Sequence, residues 1–304
     1  SATERRLLDL LKEVNSGILV LGVRESLSDA GLDSLGLANF IMSIESAFGI
    51  ILDVSLDAGG DTIEVLGVAV DQRKLAQQSS PDGNHGATLA ATLRPHLTLW
   101  PGTRRGAEGL VRDMATAPPN APALFWCFQS RDEFAALTDA LGGRIRLYGL
   151  RSGHLAFDYD AETVAALATL YADEIEAVDR RGTLALGGNC QGGMVMAEVA
   201  QELRRRGRRV ALTVLMEQGR FHPLSGDVLL LFGVRSYLNP YGQIDAPERL
   251  FRQAYGDGFS VSMLPGGHGQ YFEPANVGTL ADILAARIIA CLYAFSRLPF
   301  TRAM

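Results

Sequence analysis

The chain has 304 residues, of which 47% are hydrophobic, and a formal net charge of −6. That is enough chain and enough apolar character for two ordinary cores, and it excludes a disordered polymer. The acidic balance argues against a nucleic-acid partner, which calls for a basic surface. No apolar run approaches the length of a bilayer span, and residues 1–6 lack the apolar stretch of a secretory signal, so neither a membrane partner nor export is expected. The cysteines are Cys127, Cys190 and Cys291. An odd, sparse set fits a reducing compartment, and a cytoplasmic setting is expected. With no Cys pair or Cys/His cluster at ligand spacing, no metal site is indicated.

Residues 1–75 read as helices. The first pattern, residues 3–14, has Leu7, Leu8, Leu10 and Leu11 set between charges. In a second, after Asp33, the residues Leu37, Phe40, Ile41, Ile44 and Phe48 recur at steps of three and four. A third runs over 62–75. Residues 77–86 are polar, contain Gly and Pro, and lack a period, and a linker is expected over 76–95.

Beyond the linker, short apolar runs alternate with longer amphipathic ones. Strands are expected at 123–127, 144–148, 183–187, 210–215, 228–232 and 260–264, and helices at 161–178, 194–206 and 277–298, with a helical turn at 251–255. This alternation implies a mostly parallel sheet with helices on both faces. The expected fold is therefore two domains: a small all-α helix bundle (1–75) and, after the linker, an α/β domain (96–304). Cys127 and Cys291 fall in apolar runs and read as core residues.

Two motifs carry chemistry. Gly31-Leu32-Asp33-Ser34-Leu35 opens the second helix and is followed by Glu45, Phe48, Gly49 and Ile50. As local structure it is an N-cap. The whole pattern resembles the acyl or peptidyl carrier proteins of polyketide and nonribosomal peptide assembly lines, whose signature is Gly-x-Asp-Ser-Leu followed by an amphipathic helix ending Glu-x-x-Phe-Gly-Ile. The resemblance implies 4′-phosphopantetheine attached covalently to Ser34, and hence a phosphopantetheinyl transferase as a partner. A helix N-terminus suits the added phosphate.

The second motif, Gly188-x-Cys190-x-Gly192, joins a strand to a helix start. It matches a nucleophile elbow with Cys in place of Ser, and the order Cys, acid, His is that of α/β-hydrolases. Placement at a helix N-terminus is expected to lower the thiol pKa. His268, just after the last strand, is the expected base; His85, His96, His154 and His222 fit the order less well. The acid is expected at Glu217, with Asp245 in reserve. The oxyanion hole is expected from the backbone N–H of Gln191 and one from the loop near Phe128 or Gln129.

Residues 110–300 resemble the type I thioesterase domains that end assembly lines, although their nucleophile is ordinarily Ser. What the resemblance implies is a terminal thioesterase with its carrier. It would move an acyl or peptidyl thioester from Ser34 to Cys190 and release it by cyclisation, aminolysis or hydrolysis, with upstream synthetase modules as partners. A Cys-dependent aminoacyl shuttle between carriers and a non-catalytic interaction module are the alternatives. An amine, thiol or internal acceptor is expected in preference to water, because a thioester at Cys190 keeps its activation. The family inserts a helical lid where this chain has only residues 218–227, so the site should be open there or covered by residues 87–120.

Overall fold

The computed structural model describes residues 2–14, 22–27, 32, 40–41, 43–44, 47–48, 62–78 and 85–296. The chain divides into two compact units, Ser1–Asn84 with Phe157–Thr163, and His85–Ala156 with Val164–Met304.

In the first unit, helices α1 (Ala2–Val14) and α2 (Ile63–Gln78) pack together. Leu7, Leu10 and Leu11 of α1 meet Ile63, Leu66 and Val70 of α2 in one apolar core. Phe40 and Ile44, one helical turn apart and both fully buried, join it from the second helical pattern. Ser34 lies outside the described residues, as do Asp33 and Leu35. Leu32 and Phe40, the described residues nearest to it on either side, are buried.

The second unit opens with α3 (His85–His96), inside the stretch expected to be linker. Its Leu89, Ala90 and Leu93, followed by Leu97, bury one face at helical spacing. An eight-stranded sheet follows, in the order β1-β2-β4-β3-β5-β6-β7-β8. The strands are β1 (Thr103–Arg105), β2 (Val111–Asp113), β3 (Ala123–Phe128), β4 (Arg146–Arg151), β5 (Leu184–Asn189), β6 (Val210–Met216), β7 (Val228–Gly233) and β8 (Phe259–Leu264). From β4 to β8 every pairing is parallel; β1 and β2 add an antiparallel edge.

The helices of this unit are α4 (Arg131–Leu141), α5 (Ala161–Val178), α6 (Gln191–Arg205), α7 (Glu248–Tyr255) and α8 (Val277–Ser296). The crossover β3-α4-β4 runs one way from the middle of the sheet and β5-α6-β6 the other. Right-handed connections then place α4 and α6 on opposite faces. α8 packs against α4, burying Leu280, Leu284 and Ile288. The strand order reverses around β3 and β5, and their carboxyl ends are where such a sheet opens a crevice. Among the described residues no helix is long and apolar enough to cross a membrane.

Candidate active site

β5 turns into α6 at Cys190, which has φ 49° and ψ −126°. The turn is tight enough to dictate its neighbours. A Cβ on Gly188 would lie 2.5 Å from the backbone of Gly192, and one on Gly192 would lie 2.3 Å from the carbonyl oxygen of Cys127. Cys190 is pinned from two further directions: its N–H donates to the Met216 carbonyl (3.1 Å), and its own carbonyl accepts from Gln218 Nε2 (2.7 Å).

The structure brings together the three residues expected as nucleophile, base and acid. Cys190 Sγ is 3.9 Å from His268 Nε2, and His268 Nδ1 is 2.9 Å from Glu217 Oε2. His268 lies on the loop after β8, and Glu217 immediately follows β6 with φ 59°. Glu217 is buried. Its carboxylate accepts the Gly233 N–H (2.9 Å) and the Ser236 hydroxyl. Burial alone would raise its pKa, but the hydrogen bonds from His268, Ser236 and Gly233 outweigh it and hold the carboxylate below its ordinary range. An ionised Glu217 fixes the Nδ1–H tautomer of His268 and leaves Nε2 facing the sulfur. Asp245, the reserve acid, is exposed on the loop between β7 and α7.

The thiol behaves differently from the sequence expectation. Burial first, and then the charges of Glu133 and Glu217, push the Cys190 pKa up to about 12. The direction is opposite to the one a helix N-terminus alone would give, and it favours the neutral thiol over the thiolate. Cys127 and Cys291 are buried.

The oxyanion donors are also only partly as expected. Gln191 opens α6 beside Cys190, and its N–H is positioned by the turn. On the opposing loop, the Gln129 N–H donates to Glu133 Oε2 (2.8 Å) and is therefore already engaged. Phe128 ends β3, and its carbonyl accepts the Ser152 N–H (2.8 Å).

Cys190, His268 and Glu217 line a cavity of about 290 Å³. Sequence reasoning missed Glu133 and His154 in its wall, and Gln218 behind Cys190. Ser130-x-x-Glu133 is a capping-box signature that marks both α4 and the carboxylate. His154 had no signal beyond its position after a strand. No helix stands between β6 and β7, and none of residues 87–120 lines the cavity.

Residues 5–66 match the family model for the phosphopantetheine attachment site, and residues 130–222 match that for the thioesterase domain. The second match includes Cys190 and Glu217 and ends before His268. No curated protein matches the chain. Among solved structures, the chain is similar to the NocB thioesterase domain from the nocardicin cluster, at 20% identity over 60% of this chain and 99% of that one, with a TM-score of 0.48. YbtT, a type II thioesterase from the yersiniabactin NRPS/PKS pathway, is 15% identical over 60% of this chain and 99% of its own, with a TM-score of 0.49. The four-domain nonribosomal peptide synthetase AB3403 in its holo form, bound to AMP and glycine, is 16% identical (TM-score 0.48) over 94% of this chain, which spans 26% of it. A phosphopantetheine-attachment domain carries its arm on a serine and is loaded by a phosphopantetheinyl transferase. The chain is a phosphopantetheine carrier domain followed by a thioesterase domain of the α/β-hydrolase fold.

Proposed function

We propose that this protein takes an acyl or peptidyl group from its carrier onto Cys190 and passes it to an acceptor, with Cys190, His268 and Glu217 as nucleophile, base and acid. The carrier is assigned to residues 1–75 with Ser34 as attachment point, and the acyltransferase to residues 96–304 together with α3. The arm on Ser34 supplies a thiol that holds the acyl group as a thioester. Upstream synthetase modules are the proposed source of that group, because a carrier and a thioesterase share one chain. Three free cysteines suit the reducing cytoplasm as its setting.

The chemistry follows from the geometry. His268 Nε2 takes the proton of the neutral Cys190 thiol as sulfur attacks the thioester carbonyl carbon. Glu217 stabilises the imidazolium that forms. The Gln191 N–H faces the developing oxyanion. Collapse breaks the bond to the leaving sulfur, and His268 returns the proton to it. An acceptor then loses a proton to His268 and attacks the acyl-Cys190 carbonyl, and Sγ leaves and is reprotonated. Exchange of one thioester for another keeps the acyl group activated, which favours an amine, thiol or internal nucleophile as acceptor over water.

The single observation that supports this reading best is the line Cys190–His268–Glu217, ended by a carboxylate that accepts three hydrogen bonds. Intact mass spectrometry of holo protein loaded with an acyl chain tests it. The chain should accumulate on Ser34 in Cys190→Ala and leave in the wild type; equal release from both rules out Cys190 as the nucleophile.

A further inference from the structure

Cys190 shares its cavity with a carboxylate that acyl transfer does not use. Glu133 is the third residue of α4, and it accepts the N–H groups of Gln129 (2.8 Å) and Ser130 (3.3 Å) and Asn189 Nδ2 (3.3 Å). All three donors are neutral. Helix capping accounts for the bond from Ser130, but a glutamine caps equally well. Burial raises the Glu133 pKa, and the hydrogen bonds from Gln129, Asn189 and Ser130 with the charge of Arg151 offset that only in part, so an incoming cation would also stabilise its ionised form. Capping does not account for a carboxylate in the wall of this particular cavity. Asn189 immediately precedes Cys190, so its contact with Glu133 sets the carboxylate close to the nucleophile.

That position works against the reaction. Acyl transfer builds negative charge first on sulfur and then on the carbonyl oxygen, and a nearby anion opposes both. The resting thiol already feels it, with Glu133 second only to burial in holding the proton on Cys190. Among the described residues no Lys or Arg lines the cavity. Arg151, whose charge acts on Glu133, lies over the Trp100 ring at 5.8 Å and is not part of the wall. The two imidazoles in the wall are His268, held by Glu217, and His154, with Nδ1 2.7 Å from Ser152 Oγ. A cation that arrives with the substrate reverses the sign of the local field at the moment the oxyanion forms. In a cavity of about 290 Å³, that cation and the reacting carbonyl sit within a few atoms of one another.

We propose, on the basis of Cys190 as nucleophile, that Glu133 binds the ammonium of an α-aminoacyl thioester, so that the acyl groups this site accepts carry a free amine beside the carbonyl. The charge pair places the carbonyl over Cys190 and removes the penalty that Glu133 otherwise imposes.

The test compares alanyl- and propionyl-N-acetylcysteamine thioesters on the full-length protein, reading thiol release as kcat/KM. The alanyl-over-propionyl ratio should be at least tenfold higher in wild type than in Glu133→Gln. The greater intrinsic reactivity of the alanyl ester is common to both proteins and cancels. An equal ratio, with acyl-Cys190 visible by mass, overturns the role of Glu133 while leaving the nucleophile intact. Thiol release that survives in Cys190→Ala overturns the reading on which the proposal rests. As a check independent of any variant, wild type should react more slowly with N-acetylalanyl thioester than with alanyl thioester; an equal or faster rate also overturns the proposal.

Discussion

Cys190 at φ 49° and Glu217 at φ 59° are two of four non-glycine residues with positive φ among the described residues. Such backbone conformations persist where the surroundings over-determine them, and here the two residues face the same histidine. At Cys190 the strain lifts sulfur to the end of the sheet while burial keeps it protonated. A thiol held at about 12 is neutral throughout the physiological range, and its thiolate fraction grows about tenfold per pH unit below that value. The rate of iodoacetamide labelling at Cys190 should therefore climb steadily between about pH 7 and pH 10, with no plateau near the ordinary thiol pKa of about 8.5. Peptide mapping locates the label, and Cys127 and Cys291, both buried, should stay unmodified in the folded protein. A plateau below about pH 8 shows a preformed thiolate and removes the need for His268 as base.

The elements that place these residues were unevenly visible in the sequence. β5, β6 and β7 are short apolar runs bounded by turn residues, and α5 has the bounds its period gives, because each is buried deeply enough for pattern alone to mark it, while β8 is half-buried over five of its six residues and is marked by alternation instead. The antiparallel pair β1 and β2 was illegible: three residues each, Arg in both, and Arg112 and Asp113 buried by partners distant in sequence. α3 was hidden by its Gly and Pro content, although its apolar spacing was there to read. α4 announced itself through Ser130 and Glu133, and with it a pocket carboxylate that no active-site motif contains. The elbow was legible because its glycines are steric necessities. Gly192→Ala should lower stability by about 3 kcal/mol, since its Cβ meets backbone and neither chain can yield without moving a strand. Gly142→Ala serves as a comparison: Gly142 sits at φ 56° at the end of α4 with nothing within 4 Å, so only its backbone strain of about 1 kcal/mol is at stake. Urea unfolding of both variants should rank them in that order, and the reverse order contradicts the packing account of the turn.

On the scale of the whole molecule, the decisive fact is covalent: the carrier and the thioesterase domain belong to one chain. Joining two partners replaces a second-order encounter with a first-order one, at an effective concentration that reaches millimolar for short flexible connections. The kinetics should show it. In wild-type holo protein loaded at Ser34, loss of the acyl group should follow a rate constant unchanged by dilution. The same transfer can be forced between molecules by mixing loaded Cys190→Ala, which has a carrier but no nucleophile, with Ser34→Ala, which keeps Cys190 but cannot be loaded. That mixture should unload at a rate proportional to the Ser34→Ala concentration and, at micromolar protein, about a hundredfold or more below the wild type. Wild-type unloading that slows in proportion to dilution would mean that acyl groups pass between molecules, and the carrier would then serve a site on another chain.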